Sequence, residues 1–264
     1  MFEEAEGLLD ELGLAVAKEM LPAKVESAMA KELSYAEFLK EVLEAECSTR
    51  RHRSYETRLR LAGLPHRKGL ATFDFNFAKG VDKTTISDLA SLAFIHSATN
   101  AVFLGPPGVG KTHLSVALAM EALGAGHSVY FTTMAKMIRE LLAIPTRYRA
   151  RKYLAPKLLV IDEIGYKNLD AKAAAVFFDV ISARYETASV ICSSNKGFGD
   201  WGELMGDNVL ATAILDRLLH HCVVVNIKGD SYRLKDRAKQ GTSAHLDVAL
   251  AKAKGEAIEE PQPF

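Results

Sequence analysis

The chain has 264 residues, 48% of them hydrophobic, and its formal net charge at pH 7 is zero. This composition can fill a sizeable core and argues against global disorder, while the neutral charge by itself indicates no acidic partner. The three cysteines, Cys47, Cys192 and Cys222, are far apart, which favours neither a zinc site nor a disulfide framework. The sequence lacks an apolar run of about 18 residues, and residues 1–10 are acidic, so we expect no membrane span, no signal peptide and a soluble cytoplasmic protein.

The first segment, from Phe2 to Cys47, has a helical pattern without chemistry of its own. Four apolar residues recur at four-residue spacing, namely Leu8, Leu12, Val16 and Met20. Pro22 is expected to break or restart the helix. Ser34 followed by Glu37 predicts a capping box at the start of the next helix.

A basic segment follows between Arg50 and Lys68. Its positive residues are Arg50, Arg51, Arg53, Arg58, Arg60, Arg67 and Lys68, and Glu56 is the opposing charge. On a helix, Arg51, Tyr55 and Arg58 share one face, which suits contact with the phosphate backbone of a nucleic acid. A solvated helix face is the alternative.

The central motif lies between an apolar strand, Ala101 to Leu104, and a helix, His113 to Gly124. The loop Gly105, Pro106, Pro107, Gly108, Val109, Gly110, Lys111 and Thr112 fits G-x-x-x-x-G-K-[ST]. This strand–loop–helix context predicts a phosphate-binding loop whose backbone N–H groups and helix start bind phosphate. Lys111 is expected to reach the β- and γ-phosphates of ATP, Thr112 to hold Mg²⁺, and His113 to belong to the nucleotide-binding set.

A second strand, Lys157 to Glu163, ends in two carboxylates. We expect it to lie beside the first strand, so that Asp162 reaches the nucleotide and its Mg²⁺. Glu163 would then orient and deprotonate a water that attacks the γ-phosphate, which favours hydrolysis over binding alone.

Three aromatic residues alternate with polar residues in the connector before the first strand, at Phe73, Phe75 and Phe77. One of them could stack on the nucleotide base, or all could simply dock the connector on the core. Residues 81–97 are predicted to form one helix.

The rest of the chain continues the alternation of strands and helices. Strands are predicted at 128–132, 188–194 and 223–227, and helices at 134–142, 171–185 and 210–220, with 201–206 as a loop. A second basic group comprises Arg147, Arg149, Arg151 and Lys152, and Lys136 and Arg139 in the preceding helix are further predicted DNA contacts. It supports a nucleic-acid partner, although surface charge is again the alternative. Asn195 ends the fourth strand, where its amide could contact the γ-phosphate or the attacking water, or merely form a turn.

These motifs together resemble an AAA+ ATPase, and in detail the IstB family of transposition helper ATPases, which are relatives of the DnaC helicase loader. The quoted motifs are Ser193-Ser194-Asn195, Trp201-Gly202-Glu203, Leu215-Asp216-Arg217-Leu218-Leu219-His220-His221 and Gly229-Asp230-Ser231-Tyr232-Arg233. The resemblance implies that Asn195 is sensor I, that Arg217 is an arginine finger acting on a neighbouring subunit's ATP, and that Arg233 is sensor II. Without it, Arg184 would compete as the finger. It also implies that residues 133–157 form an insertion that faces DNA in related proteins.

The predicted fold class is α/β: an AAA+ P-loop core with a five-stranded parallel sheet flanked by helices, a small N-terminal helical domain and no full C-terminal lid. The expected domains are residues 1–68, 69–239 and a tail, 240–264. The expected function is an ATPase that uses ATP and Mg²⁺, forms a homo-oligomer with ATP between subunits, binds double-stranded DNA and assists a transposase.

Three alternatives differ in their partner or chemistry. A DnaC-type loader would bind single-stranded DNA and a helicase. A DNA-architectural protein would hold ATP only as a structural ligand, against which Glu163 argues. A small-molecule P-loop kinase is disfavoured, because the sequence carries no acceptor-pocket signature.

Overall fold

The computed structural model describes residues 2–143 and 147–232. These residues divide into two compact units, one ending at Leu61 and the other beginning at Ala62. Residues 62–68, which were expected to lie in the N-terminal domain, therefore belong to the larger unit. The expected C-terminal tail and the question of a lid lie outside the described residues.

The N-terminal unit consists of three helices, α1 (Phe2–Glu11), α2 (Ala15–Ala30) and α3 (Tyr35–Leu61). The capping box before α3 is present. The backbone N–H of Ser34 donates to the Glu37 carboxylate at 2.9 Å, and the Ser34 hydroxyl donates to the same oxygen at 2.7 Å. The Glu37 N–H donates back to the Ser34 hydroxyl at 3.4 Å. These bonds satisfy donors that a helix start leaves without intrahelical partners.

The expectation that Pro22 breaks the helix was wrong. Helix α2 continues through Pro22, although a proline inside a helix loses one backbone hydrogen bond and crowds the carbonyl four residues before it. The core is formed by Ala17, Leu21 and Val42, whereas Leu8 and Leu12 are 60% and 70% exposed. Packing against α3 selects the buried face of α2, and four-residue spacing along one helix could not identify it.

A buried carboxylate joins α3 to the start of α2. Glu46 is 4% exposed and accepts the backbone N–H groups of Val16 and Ala17 at 2.9 and 3.1 Å. The hydrogen bond from Ala17, supported by Arg50, holds the pKa of Glu46 below its ordinary value of 4.5. Arg50 pairs with Glu46 at 2.8 Å and donates to the Gly13 carbonyl at 2.6 Å. Arg50 is therefore engaged inside the unit, and we remove it from the predicted DNA-contacting residues.

The larger unit contains a five-stranded parallel sheet. Its strands are β1 (Asn100–Leu104), β2 (Val129–Thr133), β3 (Leu158–Ile164), β4 (Ser189–Ser194) and β5 (Cys222–Asn226). Their order is β2-β3-β4-β1-β5. The strand that carries Asp162 was expected beside β1, but β4 lies between them. Every residue of β1 and β4 is buried, as expected for central strands of a parallel sheet covered on both faces.

Helices cover this sheet. They are α4 (Lys83–Ala90), α5 (Ala93–His96), α6 (Lys111–Gly124), α7 (Met134–Ala143), α8 (Arg147–Leu154), α9 (Ala171–Arg184), α10 (Trp201–Met205) and α11 (Asn208–Leu219), with short 3₁₀ turns at Leu70–Thr72 and Phe198–Asp200. The helix predicted over 81–97 is divided in two, because Leu92 has a left-handed backbone with φ of +65°. The loop predicted over 201–206 is mostly helical, and Trp201 is completely buried. In the part of the chain that the structure describes, no helix could cross a membrane; the cytoplasmic location stays a prediction.

Arg184, the competing candidate for an arginine finger, is a structural residue. Its side chain is 1% exposed and donates to the carbonyl oxygens of Tyr153, Pro156 and Ser189 at 2.9, 2.9 and 2.7 Å. Burial lowers the pKa of Arg184 to about 10, so the group stays charged at neutral pH. It ties the segment before β3 to the start of β4 and cannot reach a neighbouring subunit.

Arg184→Ala should therefore lower the free energy of unfolding by ~3 kcal/mol or more, since it leaves several buried carbonyl groups without a donor. Urea unfolding followed by the fluorescence of Trp201, the single tryptophan, measures this loss. Arg139→Ala, at an exposed site on α7, is the control and should change stability by less than about 0.5 kcal/mol. Equal small effects of both substitutions would contradict the structural role of Arg184.

Candidate nucleotide-binding site

The phosphate loop leaves the carboxyl end of β1 and enters α6 at Lys111. Gly108 and Gly110 both have left-handed backbones, with φ of +84° and +105°, a region that glycine adopts without a steric penalty. A Cβ on Gly110 would also lie 2.7 Å from Cε2 of Phe73. The loop therefore needs glycine both for its own backbone and for the close approach of the connector.

Lys111 lies at the base of this loop and is 7% exposed. Its ammonium donates to the carbonyl oxygens of Gly105 and Pro106, both at 2.7 Å. These hydrogen bonds compensate for the burial of the charge and hold it within the loop that is expected to bind phosphates.

The carboxyl end of β3 contacts the phosphate-loop helix through Asp162, which is 4% exposed. The Thr112 hydroxyl donates to Oδ2 of Asp162 at 2.8 Å, and the Ser193 hydroxyl donates to Oδ1. Although β4 separates β1 from β3, the start of α6 spans that gap. The residues predicted to hold the metal are thus brought within hydrogen-bond distance of each other.

Glu163 lies in a β-bulge between β3 and β4. Ile161 pairs with Cys192 and Ile164 with Ser194, so Asp162 and Glu163 together face the single residue Ser193. Glu163 has φ of +62° and an exposed side chain, while Asp162 and Ile164 on either side of it are buried. Such a backbone costs about 1–3 kcal/mol for a residue other than glycine. Bulges of this kind re-aim side chains next to active sites.

Asn195 follows β4 at the same edge of the sheet. Its Oδ1 is buried and has no hydrogen-bond partner among the described residues. Asn195 lines the same cavity of about 600 Å³ as Lys111, Asp162 and Glu163. An unpartnered buried polar atom is costly, and a ligand in this cavity could satisfy it.

The opposite wall of the cavity is aromatic. Phe73 packs edge-on against His113, with ring centroids 5.3 Å apart, and Phe77 packs similarly against Tyr232 at 5.1 Å. The Tyr232 N–H donates to the Gly108 carbonyl at 3.0 Å. Burial lowers the pKa of His113, which favours its neutral form. The connector is thus both docked on the core and part of the cavity, so the two interpretations of its aromatic residues are compatible.

Arg217 lies far from this cavity in its own chain. It is in the last turn of α11, which leads into the amino end of β5, whereas the phosphate loop follows the carboxyl end of the parallel strand β1. Five residues of strand, about 16 Å, separate these two edges. The half-buried guanidinium lies 4.8 Å from the ring centre of Phe178 and donates to the Ala213 carbonyl at 3.0 Å. Arg233 lies outside the described residues.

The predicted DNA-contacting residues divide into three groups. Exposed side chains are those of Arg51, Arg53, Arg60, Lys136, Arg139 and Arg151. Arg58 is half-buried and donates to the Ser54 hydroxyl at 2.6 Å, and Lys152 is paired with Glu140, so we withdraw Lys152 as a DNA contact. The side chains of Arg147 and Arg149 lie outside what the structure describes.

Ser193 and Tyr232 are among the residues of the site that sequence reasoning missed. Both stand in motifs that carry the family resemblance, but neither residue was expected to have a role. The contact of Ser193 depends on the bulge in β3, and that of Tyr232 on how the chain returns after β5. Neither feature leaves a periodic signal in the sequence.

These residues fit a nucleoside triphosphate with Mg²⁺. Thr112 and Asp162 offer oxygen ligands, the donor type that Mg²⁺ prefers. Lys111 and the N–H groups of the glycine-rich loop supply positive charge and donors for phosphates. The unpartnered oxygen of Asn195 can accept a hydrogen bond from a water bound in this cavity.

The strand order, the phosphate loop and the paired carboxylates define an AAA+ P-loop protein. In fold it is similar to AMPPCP-bound DnaA from Aquifex aeolicus, with a TM-score of 0.54, 18% identity and coverage of 71% of this chain and 60% of that chain. It is also similar to a DnaC helicase loader, with a TM-score of 0.50, 21% identity and coverage of 61% and 97%.

Sequence comparison narrows the class to a family. Residues 7–240 match the model of the IstB-like ATP-binding proteins. A protein of Pseudomonas aeruginosa assigned to insertion sequence IS21 as its ATP-binding protein is 46% identical over 242 residues, which are 90% of this chain and 91% of the relative. The chain therefore belongs to the IstB-like ATP-binding protein family of insertion sequences.

Gly110→Ala should weaken nucleotide binding about tenfold, because strain of ~1–3 kcal/mol would distort the loop. Equilibrium titration with a fluorescent ATP analogue measures the Kd. Gly124→Ala is the matched control at the other end of α6, where an added Cβ would meet nothing within 4 Å, and its Kd should equal that of the parent. An unchanged Kd for Gly110→Ala would contradict the assigned loop geometry.

Proposed function

We propose that this protein is an ATPase that hydrolyses ATP between subunits, assembles on duplex DNA and assists a transposase in target selection. The observation that supports ATP hydrolysis is the position of the Glu163 side chain. Its exposed carboxylate lines the cavity beside Asp162 and Lys111, and the bulge aims it away from the buried face of β3. A protein that only binds ATP does not need a carboxylate held at this position by a strained backbone.

The proposed chemistry assigns one task to each group. Lys111 exchanges its two carbonyl partners for the β- and γ-phosphates, and Glu163 orients a water and takes its proton. Thr112 and Asp162 would hold Mg²⁺, which, when bound, neutralises charge on the phosphate oxygens. Asn195 contacts the γ-phosphate or the attacking water.

The task of Arg217 requires a second subunit. Its place at the amino edge of the sheet prevents it from reaching the phosphate loop of its own chain. A guanidinium there can stabilise the charge of the transferring phosphoryl group only if another copy presents its cavity to it. We therefore retain Arg217 as a finger acting on a neighbouring subunit, and Arg233 as a sensor within the subunit. ATP then favours assembly, because its binding and subunit contact stabilise each other.

A DNA-binding role is supported by the exposed arginines on α3. Arg51, Arg53 and Arg60 are exposed, and none is paired with a carboxylate within the described residues. Lys136, Arg139 and Arg151 form a second exposed group on the larger unit. Contacts of this kind bind phosphates without reading the sequence and weaken steeply with salt. DNA held by several subunits could also be bent at an energetic cost offset by the added contacts.

The alternative function is a helicase loader for single-stranded DNA. A DnaC helicase loader has a similar fold, but that similarity concerns the fold alone and does not choose between the two functions. Membership in a family of insertion-sequence proteins favours the transposition role.

Mixing two inactive variants tests hydrolysis between subunits. Glu163→Gln should lower kcat ~10²-fold or more, and Arg217→Ala ~10³-fold, while each monomer still binds ATP. In an equal mixture, about one head-to-tail interface in four joins an intact cavity to an intact finger. The mixture should therefore regain up to about a quarter of the parent's activity.

Steady-state phosphate release on duplex DNA measures this recovery, and each variant mixed with the parent protein is the control for subunit exchange. Absence of recovery despite exchange would place the finger in the same chain or remove Arg217 from catalysis.

Assembly on DNA tests the partner. With a non-hydrolysable ATP analogue, we expect a large complex on a duplex of ~50 base pairs, and none with ADP or with single-stranded DNA of the same length. Mass photometry measures the complex. Replacing Arg51, Arg53 and Arg60 with Gln should reduce the slope of log K against log salt by about 0.9 for each phosphate that the variant no longer neutralises.

Lys40→Gln is the matched control for this slope, because Lys40 lies on the same helix and is paired with Glu44. An unchanged slope for the triple variant would indicate that the basic face of α3 is only solvated and does not contact DNA. A preference for single strands would favour the helicase loader, and assembly without dependence on ATP would favour an architectural protein.

A further inference from the structure

We propose that Ser193 is a positioning residue for ATP hydrolysis, which pins the bulge in β3 and thereby aims Glu163 and orients Asp162. This inference rests on the proposed ATPase function and adds to it a residue that acts on catalysis through Glu163, while its contact with Asp162 fixes the bulge from which Glu163 projects. Ser193 is 1% exposed and lies on β4, the strand between β1 and β3.

The first contact concerns the backbone of the bulge. Asp162 and Glu163 occupy the space opposite one residue of β4, so the regular ladder of hydrogen bonds is interrupted there. The Glu163 N–H donates instead to the Ser193 hydroxyl at 3.3 Å. A side chain of β4 thus supplies the acceptor for an N–H of the bulge.

The second contact concerns the carboxylate of Asp162. The Ser193 hydroxyl donates its proton to Oδ1 of Asp162, while Thr112 donates to Oδ2 at 2.8 Å. Both oxygens of Asp162 are therefore oriented by hydroxyl groups, one from the phosphate-loop helix and one from β4. The same Ser193 oxygen accepts from Glu163, so one hydroxyl sets the relative position of the two acidic residues.

The chemistry of the hydroxyl explains why serine suits this position. The group must donate to a carboxylate and accept from an N–H at the same time, which a hydroxyl can do in a small volume. Alanine can do neither, and a thiol is a weak donor and a weak acceptor. Loss of the hydroxyl would release Glu163 from its orientation without removing a group that touches the phosphates directly.

Ser193→Ala should lower kcat for ATP hydrolysis at least about tenfold, while the Kd for a fluorescent ATP analogue changes less than about threefold. The melting temperature is recorded in parallel. Ser189→Ala is the matched control: Ser189 lies on the same strand, is completely buried and donates to the Phe94 carbonyl at the opposite edge. This control should keep the parent's kcat even where its melting temperature falls as much as that of Ser193→Ala.

A double-mutant cycle tests whether Ser193 acts through Glu163. In single-turnover experiments, Ser193→Ala should slow the parent at least about tenfold but change the rate of Glu163→Gln less than about twofold, since residues that act as a unit are not additive. A full loss in both backgrounds would overturn the positioning role.

Other outcomes also decide the proposal. A parent kcat for Ser193→Ala, or a loss of kcat no larger than that of Ser189→Ala, would overturn it. If Ser193→Ala does not fold, Ser193→Cys keeps a group of similar size with a poor donor, and it should show the same selective loss of kcat; a parent kcat for that variant would overturn the proposal. Failure of the parent itself to hydrolyse ATP would instead refute the proposed ATPase function.

Discussion

The structure of the site depends on one hydrogen-bonded junction, in which Asp162 accepts from Thr112 on one side and from Ser193 on the other. These three residues come from the start of α6, the end of β3 and the end of β4. A buried carboxylate is tolerated only where such donors compensate for its lost hydration. The junction therefore stabilises the carboxyl edge of the sheet and places the oxygen atoms that suit a divalent cation at the phosphate loop.

The parallel sheet explains why the functional groups collect at this edge. Loops that leave the carboxyl ends of parallel strands converge, so the glycine-rich loop, the bulge and Asn195 share one cavity. The same topology sends Arg217 to the other edge. The shared polarity of the strands thus explains why the expected phosphate-binding groups lie together at one edge of the sheet, and why the proposed catalytic arginine, at the other edge, would act on a neighbour.

Charge alone was a poor guide to function at individual basic residues. Arg50, Lys152 and Arg184 are all engaged within the chain, by Glu46, by Glu140 and by backbone carbonyl groups respectively. Of the three, Arg184 is buried and must be hydrogen-bonded, whereas Arg50 and Lys152 are partly exposed and form ion pairs. The proposed DNA surface is consequently smaller than the basic segments of the sequence, and it rests on side chains that are exposed and unpaired in the described residues.

The sequence by itself determined the features that depend on neighbouring residues: the phosphate loop, the five strands, the capping box of Ser34 and Glu37, and the family. Local patterns suffice there, because glycine spacing, apolar runs and caps act within a few residues. Only the tertiary structure decided that β4 separates β1 from β3, that α2 passes through Pro22, that Arg184 is buried, and that Ser193 holds the bulge at Glu163. These features depend on strand order and on packing between segments distant in sequence, whose contacts leave no periodic pattern along the chain.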